Sequence, residues 1–166
     1  LPGGDAETSL ELFRHLITQP RECYLYRSWQ RAGNANEMTF DGIFRLEPAA
    51  ESLRFDGQVF LFVGASTFSA GTFPVVLALD NGLATVIGEP CGNGSSRYGM
   101  VERVKLPHSG RTFQYSTRIW ERARSGAGDA RRPIEPHVRI VPTLEDHLLG
   151  RDPLWDYFVA TSVTPR

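Results

Sequence analysis

Between Val59 and Gly88 two short apolar runs flank one apolar segment of helical length, and this arrangement leaves few folds open. Val59–Val63 and Ala84–Gly88 are too short for helices and lack the polar alternation of a half-exposed strand. Each therefore reads as a strand covered on both faces. Between them, Thr72–Leu79 is followed by Asp80-Asn81-Gly82, a helix-stop signal. The expectation is a strand over 59–65, a helix near 68–80 and a strand over 84–88. Such a unit with short connections is a crossover, which makes its strands parallel. The predicted fold class is α/β with a mainly parallel central sheet.

The turn entering the helix reads Gly64-Ala65-Ser66-Thr67-Phe68-Ser69-Ala70-Gly71, small residues and hydroxyls at a helix N-terminus. Unsatisfied N–H groups there attract an anion or a carbonyl oxygen. Ser69 has two readings. As a helix cap, its hydroxyl satisfies an orphan N–H. As an acyl-transfer nucleophile, it works beside an oxyanion hole made by the N–H of Ala70 or by its own.

The remaining chain supplies weaker signals. Asp5 is a candidate N-cap for a helix of about a dozen residues with Leu10, Phe13, Leu16 and Ile17 on one face, ended by Pro20. Alternation over Glu22–Trp29 predicts a strand. Gly33–Gly42 reads as a polar loop, and 43–56 as a mixed, partly helical connection. Met100–Leu106 and Arg111–Thr117 flank Pro107-His108-Ser109-Gly110 and predict a β-hairpin. Glu121–Arg132 reads as solvated and Val138–Val141 as a short strand. Thr143 with Asp146 forms an approximate capping box for a brief helix ended by Gly150. Asp152 caps a last helix through Val159, and 160–166 reads as a frayed tail. The 166 residues suit one domain.

A net charge of -1 gives no reason to expect a nucleic-acid or anionic-membrane partner, and no apolar stretch reaches spanning length. Cys23 and Cys91 do not amount to a disulfide framework, and Cys91, with nothing electropositive beside it, reads as structural. No Cys/His spacing matches a metal site, and no cofactor is implied.

A nucleophilic serine needs a base. Lys105, the single lysine, is either a solvated hairpin residue or a desolvated base. His15, His108, His137 and His147 have no spacing that points at Ser69. Gly92-Asn93-Gly94 lacks the lysine and further glycines of a phosphate loop and reads as a loop that lets backbone approach a bound chain.

Taken together, Phe60–Val63, Thr67-Phe68-Ser69-Ala70-Gly71, Asp80 and Ala84–Ile87-Gly88-Glu89-Pro90 resemble the C-terminal processing (tail-specific) serine peptidases. Leu106-Pro107-His108-Ser109-Gly110 resembles that family's LP-x-S-G hairpin. Ile134-Glu135-Pro136-His137 resembles its I-x-P-D strand, with His137 in place of Asp. Thr143-Leu144-Glu145-Asp146 with Gly150-Arg151-Asp152-Pro153 resembles its T-x-E-D…G-x-D-P ending, and Pro2-Gly3-Gly4-Asp5 its oxyanion turn.

The resemblance implies an α/β fold related to crotonase and Clp protease, and serine endopeptidase (hydrolase) activity on polypeptide ends. It assigns Ser69 as nucleophile and Asp80 as a supporting acid. Gly3, Gly4 and Ala70 take the oxyanion hole, and Gly92, Asn93 and Gly94 form a substrate loop. Where Ser–Lys members carry lysine in a G-K-G turn, this chain has Asn93, so the likeness is nearer to the tricorn-core branch with a histidine base. Leu1-Pro2-Gly3-Gly4 starts at the turn that follows that histidine. The chain is expected to be the C-terminal part of the catalytic domain, inactive alone, its base coming from an N-terminal remainder or a second chain. The resemblance favours an extracytoplasmic location. The alternatives are a non-proteolytic module for an apolar ligand or peptide and, more weakly, an acyl-CoA enzyme.

Overall fold

The computed structural model describes residues 4–32, 35–124 and 132–162. Asp5 caps the first helix as expected, its carboxylate accepting the Thr8 N–H at 3.2 Å. The helix is shorter than its apolar face suggests. α1 (Ala6–Glu11) tightens into a 3₁₀ segment over Leu12–Leu16, and Leu10, Phe13 and Ile17 are buried.

Two long strands follow, β1 (Arg21–Ala32) and β2 (Ala35–Leu46), paired antiparallel. The expected loop over 33–42 is therefore strand wherever it is described. Met38, Phe40, Gly42, Phe44 and Leu46 carry a period of two that the interspersed Asn, Asp and Gly obscure. The mixed connection expected over 43–56 is the end of β2 and a 3₁₀ turn over Glu51–Leu53.

The crossover forms with the predicted order, but β3 is not covered on both faces: Val63 is buried, whereas Phe62 is exposed. β3 (Phe60–Val63) leads through the turn and a 3₁₀ step over Ser69–Gly71 into α2 (Thr72–Asn81), and β4 (Thr85–Gly88) runs parallel to β3. Every residue from Thr72 to Ala78 is buried, as expected of a helix apolar all round. Pro74 sits in its first turn, where no N–H is needed. Gly82 ends the helix in the left-handed region (φ 63°).

The predicted hairpin is longer than expected: β5 (Arg97–Lys105) pairs with β6 (Thr112–Arg122). β7 (Val138–Arg139) joins the parallel group. α3 (Leu144–Leu148) carries both reciprocal bonds of the Thr143–Asp146 capping box. α4 (Pro153–Ser162) is capped by Asp152, whose Oδ1 accepts the N–H groups of Leu154 and Trp155. Helix continues into the stretch expected to fray, through Ser162; 163–166 lie outside the described residues.

The strands form two sheets, an antiparallel one of order β2-β1-β6-β5 and a parallel one of order β3-β4-β7. The expectation of a mainly parallel sheet is met in part: the crossover strands and β7 are parallel, whereas the long strands outside the crossover pair antiparallel with one another. α2 packs against both β1 and β4. Phe73 in its first turn meets Tyr24, Trp120 and Phe44 at ring-centroid distances of 4.4, 5.3 and 5.5 Å. This aromatic knot fixes the N-terminal end of α2 against the antiparallel sheet. No helix among the described residues is long and apolar enough to cross a membrane.

Candidate active site

Ser69 is half-buried and its backbone lies in the left-handed region (φ 52°), which non-glycine residues seldom adopt. Bonds on either side hold it there. Its N–H donates to Asn93 Oδ1 at 3.0 Å, and its carbonyl accepts the Thr72 hydroxyl at 2.7 Å. Upstream, Thr67 closes the turn: its N–H donates to the Gly64 carbonyl at 2.8 Å and its Oγ1 accepts the Gly64 N–H at 3.1 Å. Thr67 and Thr72 are both buried. In the sequence the two show only as a pair of hydroxyls flanking the serine.

The Ser69 hydroxyl makes no hydrogen bond among the described residues, and no side chain caps the 3₁₀ step or α2. The helix-cap reading of Ser69 is therefore not what the structure shows. Its own N–H, engaged by Asn93, is unavailable to an oxyanion.

The loop after β4 is pinned to the turn rather than open. The Gly92 N–H donates to the Thr67 carbonyl at 3.0 Å. A Cβ on Gly92 would stand 2.2 Å from the Ala65 carbonyl oxygen, so only glycine fits. The close approach this glycine permits is to the chain's own turn. Gly94 bridges to Pro133. Asn93 Nδ2 donates to the Gly94 carbonyl at 3.1 Å, which orients the amide so that its oxygen faces Ser69. At the end of β4, a Cβ on Gly88 (φ 130°) would meet the Val63 carbonyl oxygen at 2.0 Å. Glycine there lets the two parallel strands close up beneath the turn.

The other predicted residues are dispersed. Ala70 is buried directly after Ser69. Gly4 (φ 155°) lies two residues ahead of α1, which touches the Ser69–Gly71 step, and Gly3 lies outside the described residues. Asp80 is eight residues along α2 from Thr72, roughly 12 Å away. Both its oxygens accept from Arg122 Nε at 3.0 and 3.1 Å, and Arg122 Nη2 also binds Oδ1. Arg124 binds the Asp80 carbonyl at 2.7 Å. This pair ties the far end of α2 to β6.

No candidate base reaches Ser69. His15 Nδ1 lies 2.8 Å from the Leu53 carbonyl, and His137 Nδ1 accepts the Val86 N–H at 3.1 Å. His108, His147 and Lys105 are exposed, on the hairpin turn, α3 and β5. Among the described residues no three His, Cys, Asp or Glu side chains group as metal ligands. Both cysteines are buried free thiols. Burial raises the Cys91 thiol to about 11 and pushes Cys23 well above the ordinary thiol range. Neither serves as a nucleophile at neutral pH.

No protein-family model and no curated protein sequence matches the chain. Solved structures do match in shape. A candidate peptidase from Parabacteroides merdae superposes with a TM-score of 0.75 at 20% identity, over 98% of this chain and 49% of that one. The photosystem II D1 C-terminal processing protease gives 0.57 at 16% identity, over 86% of this chain and 33% of that one. A candidate S41 protease from Bacteroides fragilis gives 0.59 at 13% identity, over 98% and 43%. The chain thus has a mixed α/β fold like that of S41 peptidase domains, and it spans about half the length of these structures or less.

Proposed function

We propose that this chain carries the nucleophile of a serine endopeptidase of the C-terminal processing type, with Ser69 attacking the peptide carbonyl. The observation behind this reading is the state of Ser69. Its backbone is held at a left-handed φ on a helix N-terminus in the turn that follows a parallel strand, and its hydroxyl makes no hydrogen bond among the described residues. Ligands of open α/β sheets gather at this end of the strands. The oxyanion is received by the Gly3-Gly4 turn together with the Ala70 N–H. Asp80 supports the site from a distance, anchoring α2 through Arg122.

The general base comes from a segment other than these described residues, in the manner of the histidine-using branch, or from a second chain. The substrate is an extended polypeptide adding along a sheet edge, and the protein acts outside the cytoplasm. The 166-residue chain alone is expected to leave casein intact. Casein cleavage by it, abolished by Ser69→Ala, contradicts an external base.

A second reading rests on Asn93. Its carbonyl occupies the Ser69 N–H where a catalytic lysine is expected from the resemblance, which suits a non-proteolytic module for an apolar ligand or peptide. A serine-reactive phosphonate separates the two: an adduct on Ser69 favours the enzyme, whereas no adduct together with tight binding of an apolar ligand favours the module.

A further inference from the structure

Beside the Ser69 turn lies a cleft of about 360 Å³, formed by Val63 to Ser66, Glu89, Pro142 and Leu154. Its lining is neutral except for Glu89. The Glu89 N–H is used, donating to the Val63 carbonyl at 3.1 Å, and this fixes the residue at the mouth of β4. Its half-buried side chain pairs with no arginine, lysine or histidine among the described residues. Acidic side chains elsewhere in the chain do find arginines, as at Asp80–Arg122, Glu22–Arg45 and Glu145–Arg151.

We infer that this cleft is a recognition subsite for a basic side chain, arginine or lysine, of an extended polypeptide, with Glu89 as the specificity-determining carboxylate. The inference rests on the proposed reading of Ser69 only for the position of that residue relative to the cut. Ser66, on the cleft wall, is three positions from Ser69, a reach of at most about 11 Å. A strand advances about 3.4 Å per residue, so the occupant falls within about three residues of the carbonyl at Ser69. Val63, Pro142 and Leu154 offer apolar wall to the methylene stem, as long cationic side chains require, while the head reaches the carboxylate.

The test is peptide affinity measured on Ser69→Ala full-length protein, so that turnover plays no part. Fluorescent decapeptides carrying one arginine are compared with the same peptides carrying citrulline, its neutral isostere. The arginine peptide is expected to bind about five- to tenfold tighter. Raising NaCl from 50 to 500 mM should shrink the difference, and Glu89→Gln should bring the arginine peptide to the citrulline level. Equal affinities, or an arginine preference that survives Glu89→Gln, overturn the inference. The salt series on the unaltered cleft keeps the test decisive if Glu89→Gln does not fold. Absence of a phosphonate adduct on Ser69 in the parent protein, with the arginine preference intact, removes the peptidase reading and leaves the basic subsite standing.

Discussion

The Asn93 side-chain carbonyl accepts the Ser69 N–H at 3.0 Å, joining the loop after β4 to the turn after β3 across 24 residues of sequence. This bond braces the serine in its left-handed conformation without engaging its hydroxyl. It also spends the N–H that would otherwise face an oxyanion. Removing it with Asn93→Ala is expected to cost about 1 kcal/mol of stability, an ordinary net hydrogen bond. The rate of Ser69 modification by a phosphonate should fall about tenfold as the turn loses its brace. Urea unfolding and a labelling time course check the two effects, and labelling faster than the parent's contradicts the brace.

Left-handed backbone costs a residue with a Cβ about 1–2 kcal/mol. At position 69 glycine should therefore outperform alanine: Ser69→Gly is expected to be about 1 kcal/mol more stable than Ser69→Ala by urea denaturation. Alanine more stable than glycine would show that the turn relaxes once the hydroxyl is gone.

Asp80 and Arg122 are both largely removed from water, their side chains 7% and 18% exposed. Breaking such a pair leaves a charge uncompensated, so Asp80→Ala is expected to destabilise by about 3 kcal/mol. If Asp80 acts only by anchoring α2, Ser69 labelling well below the variant's melting temperature stays within about threefold of the parent. A hundredfold loss in the folded variant would instead assign Asp80 a direct part in the chemistry.

The buried thiols bear on stability at alkaline pH. Cys91 is raised from 9.0 to about 11 by burial, so the folded state keeps its proton where the unfolded chain has lost it. The folded state then binds more protons between about pH 9 and 11, and stability is full below that window and declines through it. Cys91→Ser should flatten the alkaline limb of a pH–Tm profile. A limb as steep as the parent's contradicts the assignment.

The elements that were legible in the sequence are those whose signals are local. The crossover rests on contiguous apolar runs, and the Thr143–Asp146 box and the Asp152 cap satisfy their own helix ends within three residues. β2 was hidden because its alternation is diluted by Asn36, Asp41 and Gly42, and its register against β1 shifts near Tyr26. The antiparallel sheet depends on β1 meeting β6, about a hundred residues later in the chain, which no window reveals. Of the site, Ser69 and its turn were visible as a pattern. The Asn93 brace, the Thr72 hydroxyl on the Ser69 carbonyl and Glu89, unpaired among the described residues, were not, because each is a relation between distant segments or side chains rather than a spacing.

The central claim is that Ser69 is an activated nucleophile, and mapping the adduct of a peptidyl fluorophosphonate on the folded full-length protein by mass spectrometry tests it most directly. A single adduct on Ser69, lost in Ser69→Ala, is the predicted result. A folded protein that takes up no label, or that carries it on another residue, contradicts it.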